Sequence, residues 1–212
     1  MKKTEQSGAR TLLMSVVMSA PGPIVTGLGL LVGRSSTQLA DFVRRTAELA
    51  AIVVSFVVYR ILHKSGEEPE PAKKARLERA ANVCVGVAMC LSGVAMLAIV
   101  VLGGQAEKGN VIPGLSIAIL GVAANSWFWL RYAKLARINK DAILAAQSRL
   151  YRAKSFVDAC VLIALVFVLA APATAAARWA DLGGSAVVAG YLVANGIVTL
   201  KNTEAAAHAR RH

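Results

Sequence analysis

Arg44 and Glu48 are four residues apart, as are Asp41 and Arg45 and, far along the chain, Lys154 and Asp158. Residues four apart share a helix face, so each pair sets an acid beside a base. The surroundings are apolar: Leu39, Ala40, Phe42 and Val43 lead into the first cluster, and Val157, Val161 and Leu162 surround the last. Ionised side chains in such runs cost several kcal/mol each if they face hydrocarbon alone. Two chemistries meet that cost. The pairs are internal salt bridges that let a helix bundle tolerate charge, or they line a polar pathway for an ion or a proton.

Composition identifies the elements that must hold these side chains. The chain has 212 residues, 56% hydrophobic and 17% charged, with 24 Lys+Arg against 12 Asp+Glu. A soluble domain carries nearer one quarter charged residues, and the mean hydropathy is +0.56. These values point to an all-α polytopic membrane protein rather than a basic nucleic-acid binder. The apolar content excludes disorder. Three cysteines, all in apolar segments, exclude a disulfide scaffold.

Runs of roughly 20 apolar residues, enough to cross the hydrocarbon, occur at 11–32, 37–59, 80–104, 111–130, 154–176 and 183–200. The fifth helix is expected to begin before Lys154, because 142–155 is amphipathic without a breaker. Pro21 follows the small pair Ser19-Ala20 directly, and the first apolar run outlasts a signal h-region, so the first span is read as a kinked helix and not a cleaved leader. The expected organisation is a tail at 1–10, a six-helix membrane domain at 11–200 and a short basic tail at 201–212 without a cytoplasmic metal-binding domain. Eighteen basic residues fall in the two tails and the second and fourth connections, against Arg34, Lys108 and Arg178 in the others. By the positive-inside rule both termini are cytoplasmic, in what is expected to be a bacterial cytoplasmic membrane.

Further polar groups lie at membrane depth. Asn82, Asn125 and Asn195 suit interhelical hydrogen bonds. Cys84, Met89, Cys90 and Met96 have the softness for a copper(I)-like ion and equally the character of plain packing. Gly86, Cys90 and Gly93 form a small-residue face suited to close helix contact or dimerisation. No phosphate-cradling loop, zinc-ligand cluster or catalytic triad can be assembled, so the chain reads as a non-enzyme without a cofactor. The expected partners are the lipid bilayer, a second copy bound through the membrane domain, and an inorganic cation or proton, with no nucleic acid.

The ordering of these residues resembles the transmembrane domain of the cation diffusion facilitator family. Ser35 to Glu48, with Ala40-Asp41 and then Arg44 and Glu48, looks like that family's second span; Arg76-Leu77-Glu78 is similar to its Arg-x-Glu before the third; Asn125 and Asp181 fall where it has Asn and Asp. The resemblance covers roughly 10–200. It implies a transporter in which two helices each supply His or Asp with Asp at four-residue spacing, converging on zinc or a similar divalent ion. Carried over, these positions fall on Arg44 and Glu48 and on Lys154 and Asp158; an alternative register puts the second pair on Leu150 and Lys154. The acids remain, but cations stand at the other two positions, and Arg has no lone pair to give. The resemblance thus implies a cation transporter or proton-coupled exchanger with a charge-paired site, flanked by Asp41, Arg45 and Asn125. The alternative is a transport-inactive relative that serves as a structural or regulatory membrane partner.

Overall fold

The computed structural model describes residues 2–32, 36–63, 70–102, 111–170 and 175–209. Its elements are all helical: α1 (Lys2–Ser19), α2 (Pro21–Val32), α3 (Ser36–His63), α4 (Pro71–Leu102), α5 (Val111–Asn139), α6 (Ala142–Ala170) and α7 (Ala175–Ala209). Ala20 alone separates α1 from α2, so the two form one interrupted span and the chain is a six-helix membrane bundle. The break follows from Pro21 and Pro23, which have no N–H to return to the carbonyls of Val17 and Ser19. Glu5–Leu28, Phe42–His63 and Pro71–Ala98 are each long and apolar enough to cross a membrane on their own, among the described residues. Large apolar side chains such as Val17, Leu31, Leu120 and Val187 point outward, where lipid replaces water as the neighbour.

The helices outrun the apolar segments. α1 starts at Lys2 instead of Thr11 and α4 at Pro71 instead of Ala80, while α6 starts at Ala142, ahead of Lys154 as the amphipathic stretch 142–155 predicts; α5 continues to Asn139 and α7 to Ala209. An apolar run measures hydrocarbon thickness, whereas Lys, Arg, Ala and Glu continue a helix into water without penalty. Pro71 suits the first helical position of α4, where the Lys74 N–H already reaches the Glu70 carbonyl at 3.0 Å. At its other end α6 is described as far as Ala170; Pro172, close to the expected end of this span, lies outside the described residues.

A two-residue turn joins α5 to α6. Lys140 takes a left-handed conformation, φ 49°, and the Asp141 N–H returns to the Ala136 carbonyl at 3.3 Å, which closes α5 in a Schellman turn. Asp141 then caps α6: its Oδ1 accepts the Leu144 N–H at 2.9 Å. Its Oδ2 lies 3.9 Å from His63 Nε2 at the end of α3. Burial pushes the Asp141 carboxyl above the ordinary carboxylate value of 3.8, against the opposing pull of the Leu144 N–H and His63. A proton held more tightly in the folded state stabilises the fold fully below 3.8, and that contribution is lost as pH rises through the folded value. Asp141→Asn keeps the cap, so its thermal stability should lack this fall; the pH profiles of the two proteins in detergent check it.

α4 packs most closely on α7 through small residues. A Cβ at Gly196 would lie 2.5 Å from Cys90 Sγ and 2.8 Å from the Gly86 carbonyl, and one at Gly93 would lie 2.8 Å from the Ala189 carbonyl. Gly86, Cys90 and Gly93 are therefore filled by α7 within the same chain, and this face is closed to a second copy. Cys90 and Met89 serve as packing atoms here, Met89 fully buried. Gly196→Ala should lower stability by about 1–3 kcal/mol, the usual cost of overpacking. Gly190, on the same helix with nothing near its Cβ position, should accept alanine with a small gain. Thermal unfolding of both variants provides the check.

Candidate functional site

The site lies where α3 faces α6. These helices are antiparallel, and two contacts fix their register. Gln147 Nε2 donates to Ser55 Oγ at 2.8 Å, and two turns further on Lys154 Nζ lies 3.1 Å from Glu48 Oε2. Glu48 and Ser55 are seven apart, as are Gln147 and Lys154, the interval that returns to the same helix face. Gln147 and Ser55 are fully buried.

Glu48 is only 5% exposed, so both of its carboxylate oxygens need partners. Oε2 has Lys154. Oε1 accepts the Ser92 hydroxyl from α4 at 3.1 Å and lies 3.6 Å from Arg44 Nη1, one turn back on α3. The Lys154 ammonium also stands 5.1 Å from the centre of the Tyr151 ring, a cation–π approach. Two cations, a hydroxyl and an aromatic face thus surround one buried acid.

Asp158 is arranged differently. The expected pairing of Lys154 with Asp158 along α6 is not made; Lys154 reaches across to Glu48 instead. A base placed N-terminal to an acid at this spacing is the weaker order, and the buried acid opposite competes successfully. Asp158 Oδ2 accepts the Asn125 side-chain amide from α5 at 2.6 Å. Gly121, one turn before Asn125, makes room for that carboxylate, since a Cβ there would lie 2.7 Å from Oδ2. A second α5–α6 contact, Ser126 with Ser155 at 2.6 Å between hydroxyls, lies beside it.

All four expected residues, Arg44, Glu48, Lys154 and Asp158, line one cavity of about 480 Å³, together with Arg45 and Asn125. Arg45 packs beside Gly22 of α2, whose Cβ position lies 3.3 Å from its Nη1. Leu150, the alternative partner position, is buried in the apolar core. The side chains of Asp41 and Asp181 lie outside the described residues. Asn195 is remote from the cavity, accepting from Arg152 at 3.3 Å. Asn82 Oδ1 is buried with no hydrogen-bond partner among the described residues.

Toward the α5–α6 turn, aromatic rings close the cavity. Phe128, Tyr132 and Tyr151 are buried, with ring centres 4.9 Å apart for Phe128 and Tyr151 and 5.4 Å for the two tyrosines. The Tyr132 hydroxyl pairs with Ser15 at 2.7 Å and the Tyr151 hydroxyl with Ser19 at 3.4 Å, which ties the layer to α1.

Ser92, Gly121 and Gln147 were not singled out by the sequence. A serine or glycine in an apolar span is commonplace, although Gly121 and Asn125 do share the four-residue spacing. Among the described residues no three His, Cys, Asp or Glu side chains gather as metal ligands do. The charged groups of the cavity are two acids, Glu48 and Asp158, and three bases, Arg44, Arg45 and Lys154, a set that carries one more positive than negative charge when all are ionised.

No curated protein matches the sequence. Residues 12–204 match the cation efflux transmembrane domain, which spans all six membrane helices and both halves of the charged cavity. With nine-tenths of the chain inside that match, this membrane protein belongs to the cation efflux family.

Proposed function

We propose that this family member moves a proton or a singly charged cation past a charge-paired site, with Asp158 as the exchangeable acid. Glu48, Lys154 and Arg44 act as a fixed internal counter-ion group. The observation that carries this reading is the unequal treatment of the two acids. Glu48 is neutralised by two bases of the protein itself, whereas Asp158 is held by a neutral amide within the cavity. A divalent ion entering between them meets an ammonium and a guanidinium at close range, with repulsion that a low dielectric enlarges. A proton on Asp158 displaces nothing. The excess of basic residues supports an orientation with both termini and the α5–α6 turn in the cytoplasm.

The test is flux in reconstituted vesicles loaded with a pH-sensitive dye. Asp158→Asn should reduce proton flux to the level of empty vesicles while leaving the protein folded, because the amide can still bond Asn125. Equal flux in Asp158→Asn and the parent protein overturns the role of Asp158.

A second reading is favoured by the complete occupation of Glu48: the chain is a transport-inactive relative in which the cations lock the bundle and the protein serves another membrane protein. Proton and metal flux both at the empty-vesicle level in the parent protein would establish that reading over the first.

A further inference from the structure

Arg131 begins the polar end of α5, directly after the apolar stretch that ends at Leu130. Its guanidinium is held by neutral groups only: Nε donates to Thr11 Oγ1 at 3.0 Å, Nη2 donates to Ser7 Oγ at 3.3 Å, and the plane lies 5.3 Å from the centre of the Trp127 ring. Among the described residues, neither Arg131 nor Arg10 and Lys134 on the same two helices has a carboxylate within ion-pair distance. A guanidinium oriented this firmly, with its charge left over, is prepared for an external anion.

The surface around it says which anion. On α1, Ser7, Arg10, Met14 and Val17 follow one another at three- and four-residue spacing and so form one face; on α5, Leu130, Arg131 and Lys134 lie three, four and seven residues after Trp127 and so share its face. Met14, Val17, Trp127 and Leu130 are all exposed to the membrane side, while Arg10, Arg131 and Lys134 stand at the polar end of the same two faces. α1 and α5 are in contact. The combined surface is apolar below and cationic above, with an indole at the boundary where Trp side chains favour the headgroup level. We infer that the α1–α5 face binds an anionic phospholipid, its phosphate on Arg131 and Arg10 and its chains along Met14, Val17 and Leu130. A soluble phosphate would use the cationic half and leave the apolar half without purpose.

The test is native mass spectrometry of the detergent-purified protein with three probes: phosphatidylglycerol, phosphatidylcholine with the same acyl chains, and glycerol 3-phosphate. Phosphatidylglycerol should remain bound. Arg131→Gln and Arg10→Gln should each reduce the bound fraction about fivefold, the usual worth of one basic residue at an anionic lipid surface. Among the described residues Arg10 has no hydrogen bond or ion pair, so its variant removes charge without removing a contact described there. Lys73→Gln/Arg76→Gln, at the polar end of α4, should leave binding intact. Equal retention of phosphatidylglycerol by the Arg10 variant and the parent overturns the site. So does equal retention of phosphatidylcholine, an equal loss in the α4 variant, or glycerol 3-phosphate bound as well as the lipid.

Discussion

Lys154→Met should destabilise the folded bundle by about 3–5 kcal/mol, the cost of leaving one member of a buried ion pair without its partner. Glu48 would keep Arg44 at 3.6 Å and Ser92 at 3.1 Å but lose its closest cation, the ammonium at 3.1 Å. Thermal unfolding in detergent measures this, and the double-mutant cycle with Glu48→Gln identifies the cause. The double variant removes both charges and should recover most of the loss. If Lys154→Met alone unfolds with the parent protein, the pair is not a lock. If the double variant is as unstable as the sum of the singles, the loss comes from packing and not from an orphaned charge.

The second large effect runs the other way. Arg44→His/Lys154→Asp replaces both internal cations with groups that carry lone pairs, completing the four positions that the family resemblance implies as ligands. Glu48 and Asp158 already face the same cavity, so the variant should bind zinc and gain stability with metal concentration. A ligand present at a thousand times its dissociation constant contributes about 4 kcal/mol. The parent protein, with its site filled by its own bases, should show no comparable shift. Adding Asp158→Asn should remove the gain. A zinc-dependent shift of equal size in the parent would show that the cations do not exclude the metal, and no shift in the double variant would show that the four positions do not converge.

Much of this site could be read along one helix and little of it between helices. The Arg44–Glu48 contact follows from spacing alone, because four residues bring two side chains onto one face. The same rule applied to Lys154 and Asp158 points to a bond that does not form. Spacing says which face a side chain occupies but nothing about a stronger partner on the helix opposite. Gln147 illustrates the limit from the other side: it lies in the amphipathic stretch ahead of the fifth apolar run, where nothing in the sequence marks it out, yet it is buried and bonded to Ser55. The six spans were legible because hydrocarbon thickness imposes a length on apolar runs. The helix ends were not, since charge ends a span without ending a helix. Proline gave a local signal that held: the break at Ala20 falls directly before Pro21.

The two links between α3 and α6 restrict how the cavity can change shape. Glu48–Lys154 and Ser55–Gln147 are separated by two turns, about 10 Å of helix. A one-turn slip of either helix along its axis would break both links at once and strand a carboxylate, an ammonium and an amide in the interior. Rotation about the line through the two links breaks neither. These helices are therefore pinned like a door on two hinges: the cavity can widen by swinging, and it cannot widen by sliding.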